Sequence, residues 1–230
     1  MSKQVVILAA GMGTRLARPL PKPLTELRDG RSIMKQQIDN LKFAFADTYR
    51  VMIVVGFKLE AIIERFPEAT FVYNELYDQT NTSKSLLKAL RASGDGGVLW
   101  MNGDVVFDPN VLTRVTPLMD AGQSFVVVNT SKVSDEEVKY TLDADGFIDQ
   151  LSKQVTPALG EAVGINFVSA ADKAALIARL DEVGDQDYFE RGIEFGIERD
   201  GLKFKAVDIS DLYAVEVDFA EDLERANELF

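Results

Sequence analysis

From Val5 to Ala10 the chain is apolar without interruption, the pattern of a strand buried on both faces. Glycine ends it. Ile33–Phe45 has helical periodicity with Ile33, Ile38 and Leu41 inward, and Tyr49–Val55 returns to a β-like run. The same rhythm predicts a helix at Lys58–Phe66, a strand at Thr70–Tyr73, a helix at Ser83–Ala92 carrying Leu86, Leu87 and Leu90, and a strand at Gly97–Met101. Alternation of this kind favours a parallel sheet covered by helices. Asp108-Pro109 reads as an N-cap followed by proline at the first helical position.

After residue 120 the pattern becomes β-rich, with predicted strands at Ser124–Asn129, Lys139–Leu142, Phe147–Leu151 and Gly164–Val168. A helix is expected from Ala170 to Leu180, opened by Ser169 and Asp172 as a capping box. The final stretch, LYAVEVDFAEDLERANELF, reads as a strand and then an amphipathic helix with Phe219, Leu223, Ala226 and Leu229 at helical spacing. No repeat, low-complexity tract or linker interrupts the chain, so a single domain over residues 1–230 is expected, the alternating portion (1–120) leading into the β-rich one (121–230).

Composition narrows the chemistry. With 230 residues, 47% hydrophobic and 27% charged, the chain has the make-up of an ordinary globular protein with a sizeable core. Its net charge of −12 argues against nucleic acid or a membrane surface as partner, because both are anionic. No apolar run approaches the ~20 residues that cross a bilayer, and no secretory signal pattern opens the chain; a cytoplasmic location is expected. There is no cysteine and no histidine, which excludes thiol nucleophiles, histidine-containing triads and Cys/His zinc sites. Carboxylates, Lys/Arg, hydroxyls and oxygen-bound hard metal ions remain.

The loop GMGTRL lacks the third glycine of a dinucleotide fingerprint and the Gly-Lys-Ser/Thr of a Walker A loop. Its glycines still let backbone N–H groups approach an anion, and Arg15 and Lys22 add positive charge, with Pro21 and Pro23 stiffening the segment around Lys22. A surface turn with solvated cations is the alternative. LAAGMGTRL followed by PKPL resembles the signature loop of the pyrophosphorylase-type nucleotidyltransferases, which join a nucleoside monophosphate to a phosphorylated sugar or alcohol. The resemblance runs nearly end to end and is nearest to the bacterial phosphocholine cytidylyltransferase group.

That resemblance implies an α/β fold: a single-domain, Rossmann-like mixed sheet flanked by helices, of the GT-A-like nucleotide-diphospho-sugar transferase type, with a β-rich acceptor-binding portion. It implies a nucleoside triphosphate, CTP in the nearest group, bound with Mg²⁺. Asp104 in NGDVVF, just beyond a buried strand, and Asp218 in EVDFAEDL are the implied metal ligands. For Asp218 taken alone a helix N-cap with Glu221 as a capping box is the favoured local reading, and a capping carboxylate can still offer its other oxygen to a metal. Ala9, Ala10, Gly11, Gly13, Thr14, Arg15, Gly56, Asn81 and Ser85 fall at nucleotide-binding positions of the pattern. Arg15, Lys22, Asp104 and Asp218 would carry the chemistry: Lys22 on the α-phosphoryl and Arg15 with the glycine loop on the leaving pyrophosphate.

On the acceptor side the resemblance points to Glu161, Tyr188 and Phe189, with Tyr140 nearby. The choline enzymes carry a tryptophan where this chain has Val138, and the sole tryptophan, Trp100, sits in the strand before Asp104 as a core residue. Tyr140, Tyr188 and Phe189 either form a partial cage for a quaternary ammonium or fill a helix–sheet interface. Lys139 and Lys153 either meet the acceptor phosphate or extend from a sheet into solvent. The expected reaction is transfer of a nucleoside monophosphate to a small phosphorylated alcohol such as phosphocholine. Sugar, inositol or polyol phosphates and aminoethylphosphonate are alternative acceptors. A non-catalytic nucleotide sensor and a molybdenum-cofactor guanylyltransferase are the further alternatives.

Overall fold

The computed structural model describes residues 2–13, 19–131, 133–134 and 137–229. Its elements run in chain order as β1 (Lys3–Ala9), α1 (Ile33–Phe45), β2 (Tyr49–Val55), α2 (Leu59–Arg65), β3 (Thr70–Tyr73), α3 (Thr82–Ala92), β4 (Val98–Asn102), β5 (Val105–Phe107) and α4 (Asn110–Asp120). The second half adds β6 (Phe125–Asn129), β7 (Lys139–Leu142), β8 (Ile148–Ser152), β9 (Gly160–Val168), α5 (Lys173–Glu182), α6 (Phe189–Asp200), β10 (Lys205–Asp208), β11 (Ala214–Glu216) and α7 (Ala220–Asn227).

The main sheet has the order β10-β6-β9-β4-β1-β2-β3. Strands β4, β1, β2 and β3 are parallel, whereas β9 runs antiparallel to both β4 and β6. The sheet is therefore mixed, and strands from both halves of the chain share it. β9 begins at Gly160, earlier than the apolar pattern predicts, because its first residues pair with β6 and β7.

Alternation along β1 sorts the core into two layers. Val5, Ile7 and Ala9 pack with residues of α1, α2 and α4 on one face, and Val6, Leu8 and Ala10 pack with α3, α5 and α6 on the other. Both faces are covered, which is why the strand reads as a continuous apolar run. On α1, Ile33 and Leu41 are buried as expected, but so are Gln36, Gln37 and Asn40. These amides have a purpose: Gln37 donates to the carbonyls of Asn102 and Val105 at 2.8 Å, and Gln36 and Asn40 donate to that of Phe107. They satisfy β4 and β5 where the ladder leaves carbonyls free.

Three local expectations change. Helix α5 starts at Lys173, and its capping runs through a third residue: Ser124 Oγ accepts from the Ser169 N–H and donates to Asp172, while the Asp172 N–H donates to Ser169 Oγ. On α7 only Leu223 and Ala226 are buried; Phe219 and Leu229 face outward. Helix α6 is absent from the sequence reading because FERGIEFGIERD contains two glycines that weaken helical propensity. Gly192 is there for close approach, since a Cβ would lie 2.6 Å from Leu180 Cδ2 of α5.

Candidate active site

One cavity of about 310 Å³ opens where the ends of β1 and β4 meet the N-termini of α3 and α6. Its location beyond the carboxyl ends of parallel strands is where α/β folds place ligands. Leu8, Ala9, Gly11 and Gly13 line one part of it. Ala10 turns into the core, and its carbonyl accepts from the Phe57 N–H, which places Gly56 beside it. Thr14 and Arg15 lie outside the described residues.

Lys22 opens a short 3-10 turn, Lys22–Leu24, fixed by Pro21 and the buried Pro23. The Lys22 ammonium donates to Asp104 Oδ2 at 2.8 Å and to Asp218 Oδ1. Burial alone would lower its pKa, but Asp104 and Asp218 outweigh burial and raise it, so the lysine is charged. Asp104 occupies the two-residue turn between β4 and β5. Gly103 allows this turn to nestle against β1: its N–H donates to the Leu8 carbonyl, and a Cβ would stand 2.7 Å from that oxygen and 2.8 Å from Pro23 Cγ.

Asp218 reaches the same place because β11 pairs antiparallel with β5, Glu216 opposite Val105, and the Val217 N–H donates to the Asp104 carbonyl. The expected N-cap position falls to Phe219 instead, and Asp222, in the first turn of α7, reaches back so that its carboxylate accepts from the N–H groups of Asp218 and Phe219. The Asp218 carboxylate is thereby left to face Lys22. One position matters that the sequence reading missed: Glu216, the last residue of β11, stands two positions before Asp218, and Asp104, Glu216 and Asp218 offer oxygens within 4.8 Å of one another. Burial, then Asp104, Glu137 and Asp218, push the Glu216 carboxyl well above the ordinary range, with Lys22 opposing. Asp104 Oδ1 is buried and unpartnered. An all-oxygen acidic cluster with an unsatisfied buried oxygen fits a hard divalent ion such as Mg²⁺.

The remaining predicted residues separate. Asn81 lines the cavity and caps α3, accepting from the Thr82 N–H at 2.8 Å. Ser85 does not line it: its hydroxyl accepts from Asn74, inside the protein. Tyr188, Phe189 and Lys153 line the cavity, with Lys153 Nζ 5.2 Å from the Tyr188 ring centroid. Phe189 meets Trp100 edge-on at 5.6 Å in the core, so it serves both packing and cavity wall. Tyr140 is a core residue, packed in the same cluster as Ile148 and Leu151, and not part of the wall. Lys139 donates to the Lys153 carbonyl, and Glu161 accepts from the Ser134 N–H; neither lines the main cavity.

Glu190 was also missed. It follows Phe189 in the first turn of α6, lines the cavity, and is 7% exposed with Oε2 lacking any partner. Burial raises its pKa to about 7, reinforced by Glu194 and Glu137 and opposed by its own backbone N–H and Lys153.

Among the described residues no helix is long and apolar enough to cross a membrane. A CMP-5'-(3-aminopropyl)phosphonate synthase from Streptomyces rubellomurinus is 29% identical over 97% of this chain and 38% of its own length. The chain thus spans about two-fifths of that relative. Two solved structures share the fold: the inositol-1-phosphate CTP transferase from T. maritima (TM-score 0.82, 16% identity, 99% of this chain and 94% of the other) and the CTP:phosphocholine cytidylyltransferase from Streptococcus pneumoniae (TM-score 0.76, 20% identity, 100% and 99%). The model of the MobA-like NTP transferase domain matches residues 5–186. With its glycine-edged cavity and that match over most of its length, the chain belongs to the MobA-like NTP transferase family.

Proposed function

We propose that the chain is a Mg²⁺-dependent cytoplasmic cytidylyltransferase that transfers CMP from CTP to a small phosphorylated alcohol, such as phosphocholine, or to a phosphonate. The observation that carries this reading is the convergence of Lys22 with Asp104, Glu216 and Asp218 at one cavity. The choice of CTP is supported by the relative and structural neighbours named for CMP or CTP chemistry.

An acceptor phosphate oxygen attacks the α-phosphorus of CTP in line; the new P–O bond forms as the bond to the β-phosphate bridging oxygen breaks, and pyrophosphate leaves. A phosphate monoester has a second pKa of about 6, so the attacking oxygen is already anionic and needs no general base. A chain without histidine suits this chemistry. Lys22 stabilises charge on the α-phosphoryl, the Gly11–Gly13 segment and Arg15 hold the leaving pyrophosphate, and Asn81 orients the nucleotide. Asp104, Asp218 and Glu216 would hold Mg²⁺, which when bound neutralises charge on the phosphates.

The test is pyrophosphate release from CTP, UTP, ATP and GTP with a panel of phospho-alcohols, phosphonates, inositol phosphate and sugar phosphates. Release with CTP and a small acceptor is expected. Binding of CTP without release, whatever the acceptor, would instead support a nucleotide sensor.

A further inference from the structure

A carboxylate oxygen that is buried and has no donor is costly unless a ligand supplies one. Glu190 Oε2 is such an oxygen, in a residue that lines the cavity yet takes no part in the Lys22 cluster. Lys153 and Glu194 act on Glu190, Asp104, Asp218 and Lys22 act on Glu216, and Glu137 acts on both. Two groups of charge, with Glu137 common to them, therefore share one cavity. Glu194 is already engaged, accepting from the Leu151 N–H and from Arg191. Lys153 stands over the Tyr188 ring.

We infer that Glu190, with Tyr188 beside it, is the specificity subsite for a primary ammonium group on the acceptor. The inference rests on the cytidylyl-transfer reading and names the acceptor's other end. A primary ammonium offers three N–H donors to an oxygen that has none, and its positive charge answers a carboxylate in a low-dielectric wall. A trimethylammonium has no N–H to give. Such a group is held by several aromatic faces, but the described aromatic residues that line the cavity are Tyr188 and Phe189, and Phe189 turns its ring to Trp100. A neutral hydroxyl can donate one O–H to the carboxylate but brings no positive charge to offset it.

Phosphoethanolamine, phosphocholine, ethyl phosphate and glycerol 3-phosphate form a matched set of acceptors for steady-state kinetics with CTP and Mg²⁺. Wild-type kcat/KM for phosphoethanolamine is expected to exceed that for ethyl phosphate by about 10²-fold, the usual penalty for leaving a charged partner unmatched. Glu190→Gln should reduce this ratio to under about tenfold, and Glu190→Asp, which retains the charge, should recover part of it. Melting temperatures of both variants establish that they are folded. The inference fails if Glu190→Gln retains the wild-type ratio, or if wild type prefers phosphocholine or glycerol 3-phosphate. Turnover of those acceptors would leave cytidylyl transfer standing, while release with no acceptor at all would remove both.

Discussion

Lys22 Nζ and Asp104 Oδ2, 82 positions apart in the chain, meet at 2.8 Å, and the same ammonium also reaches Asp218. The three side chains are only 10–24% exposed, so their charges are weakly screened. A resident cation thus holds together a group of carboxylates that would otherwise repel.

Replacing that cation tests its structural share. Lys22→Met is expected to cost about 1–3 kcal/mol in metal-free buffer, because Asp104, Glu216 and Asp218 then face one another uncompensated. Mg²⁺ should raise the melting temperature of the variant more than that of wild type. Equal shifts would mean that Lys22 neutralises nothing. The same variant should lose about 10²–10³-fold in kcat, read from pyrophosphate release with saturating Mg²⁺.

Asp104→Asn and Asp218→Asn separate ligand chemistry from folding. Each should reduce Mg²⁺-dependent turnover by about 10²–10³-fold. Their melting temperatures in chelator should change little, since Lys22 retains one carboxylate partner in either case. Activity within a few-fold of wild type would remove the metal assignment.

The turn that carries Asp104 is predicted to be sensitive to a single methyl group. Gly103→Ala forces the new Cβ against the Leu8 carbonyl and Pro23, and so pushes the Lys22 turn away from Asp104. A stability loss of about 1–3 kcal/mol is expected. Turnover should fall further than that loss alone explains when assayed well below the melting temperature.

Glu190 makes stability depend on pH. Its folded pKa of about 7 exceeds the ordinary carboxyl value of 4.5, so between those values the native state binds more protons than the unfolded chain. Its contribution is therefore lost as pH rises from about 4.5 to 7. Glu190→Gln removes the penalty and should gain stability relative to wild type, up to about 3 kcal/mol at pH 8 and little at pH 4.5. Urea melts at the two pH values read the difference directly; a gain that does not grow with pH would place the Glu190 carboxyl in an ordinary environment.

Much of the frame was written in local pattern. β1 and the end of β2 are legible because strands buried on both faces require unbroken apolar runs, β3 because its residues are β-branched and aromatic, and helices α1 and α3 because surface helices require a repeating apolar stripe. The glycine loop, Lys22 and Asp104 were legible from motif and from position after a buried strand. α6 was not, since its glycines answer to Leu180 and Leu202 on other segments and not to its own helical preference.

The sequence by itself determined the alternation of elements, the residue types available for chemistry and the exclusion of thiol and imidazole catalysis. Only the tertiary structure decided which acids meet. Asp218 could cap a helix until the N-cap position fell to Phe219 and the Asp218 carboxylate met Lys22, Glu216 joins the cluster through the β5–β11 ladder, and Glu190 becomes buried with an unpartnered oxygen only once α6 docks beside Trp100. Charge–charge contact depends on distance in space and on the water excluded between groups, and neither is encoded in separation along the chain.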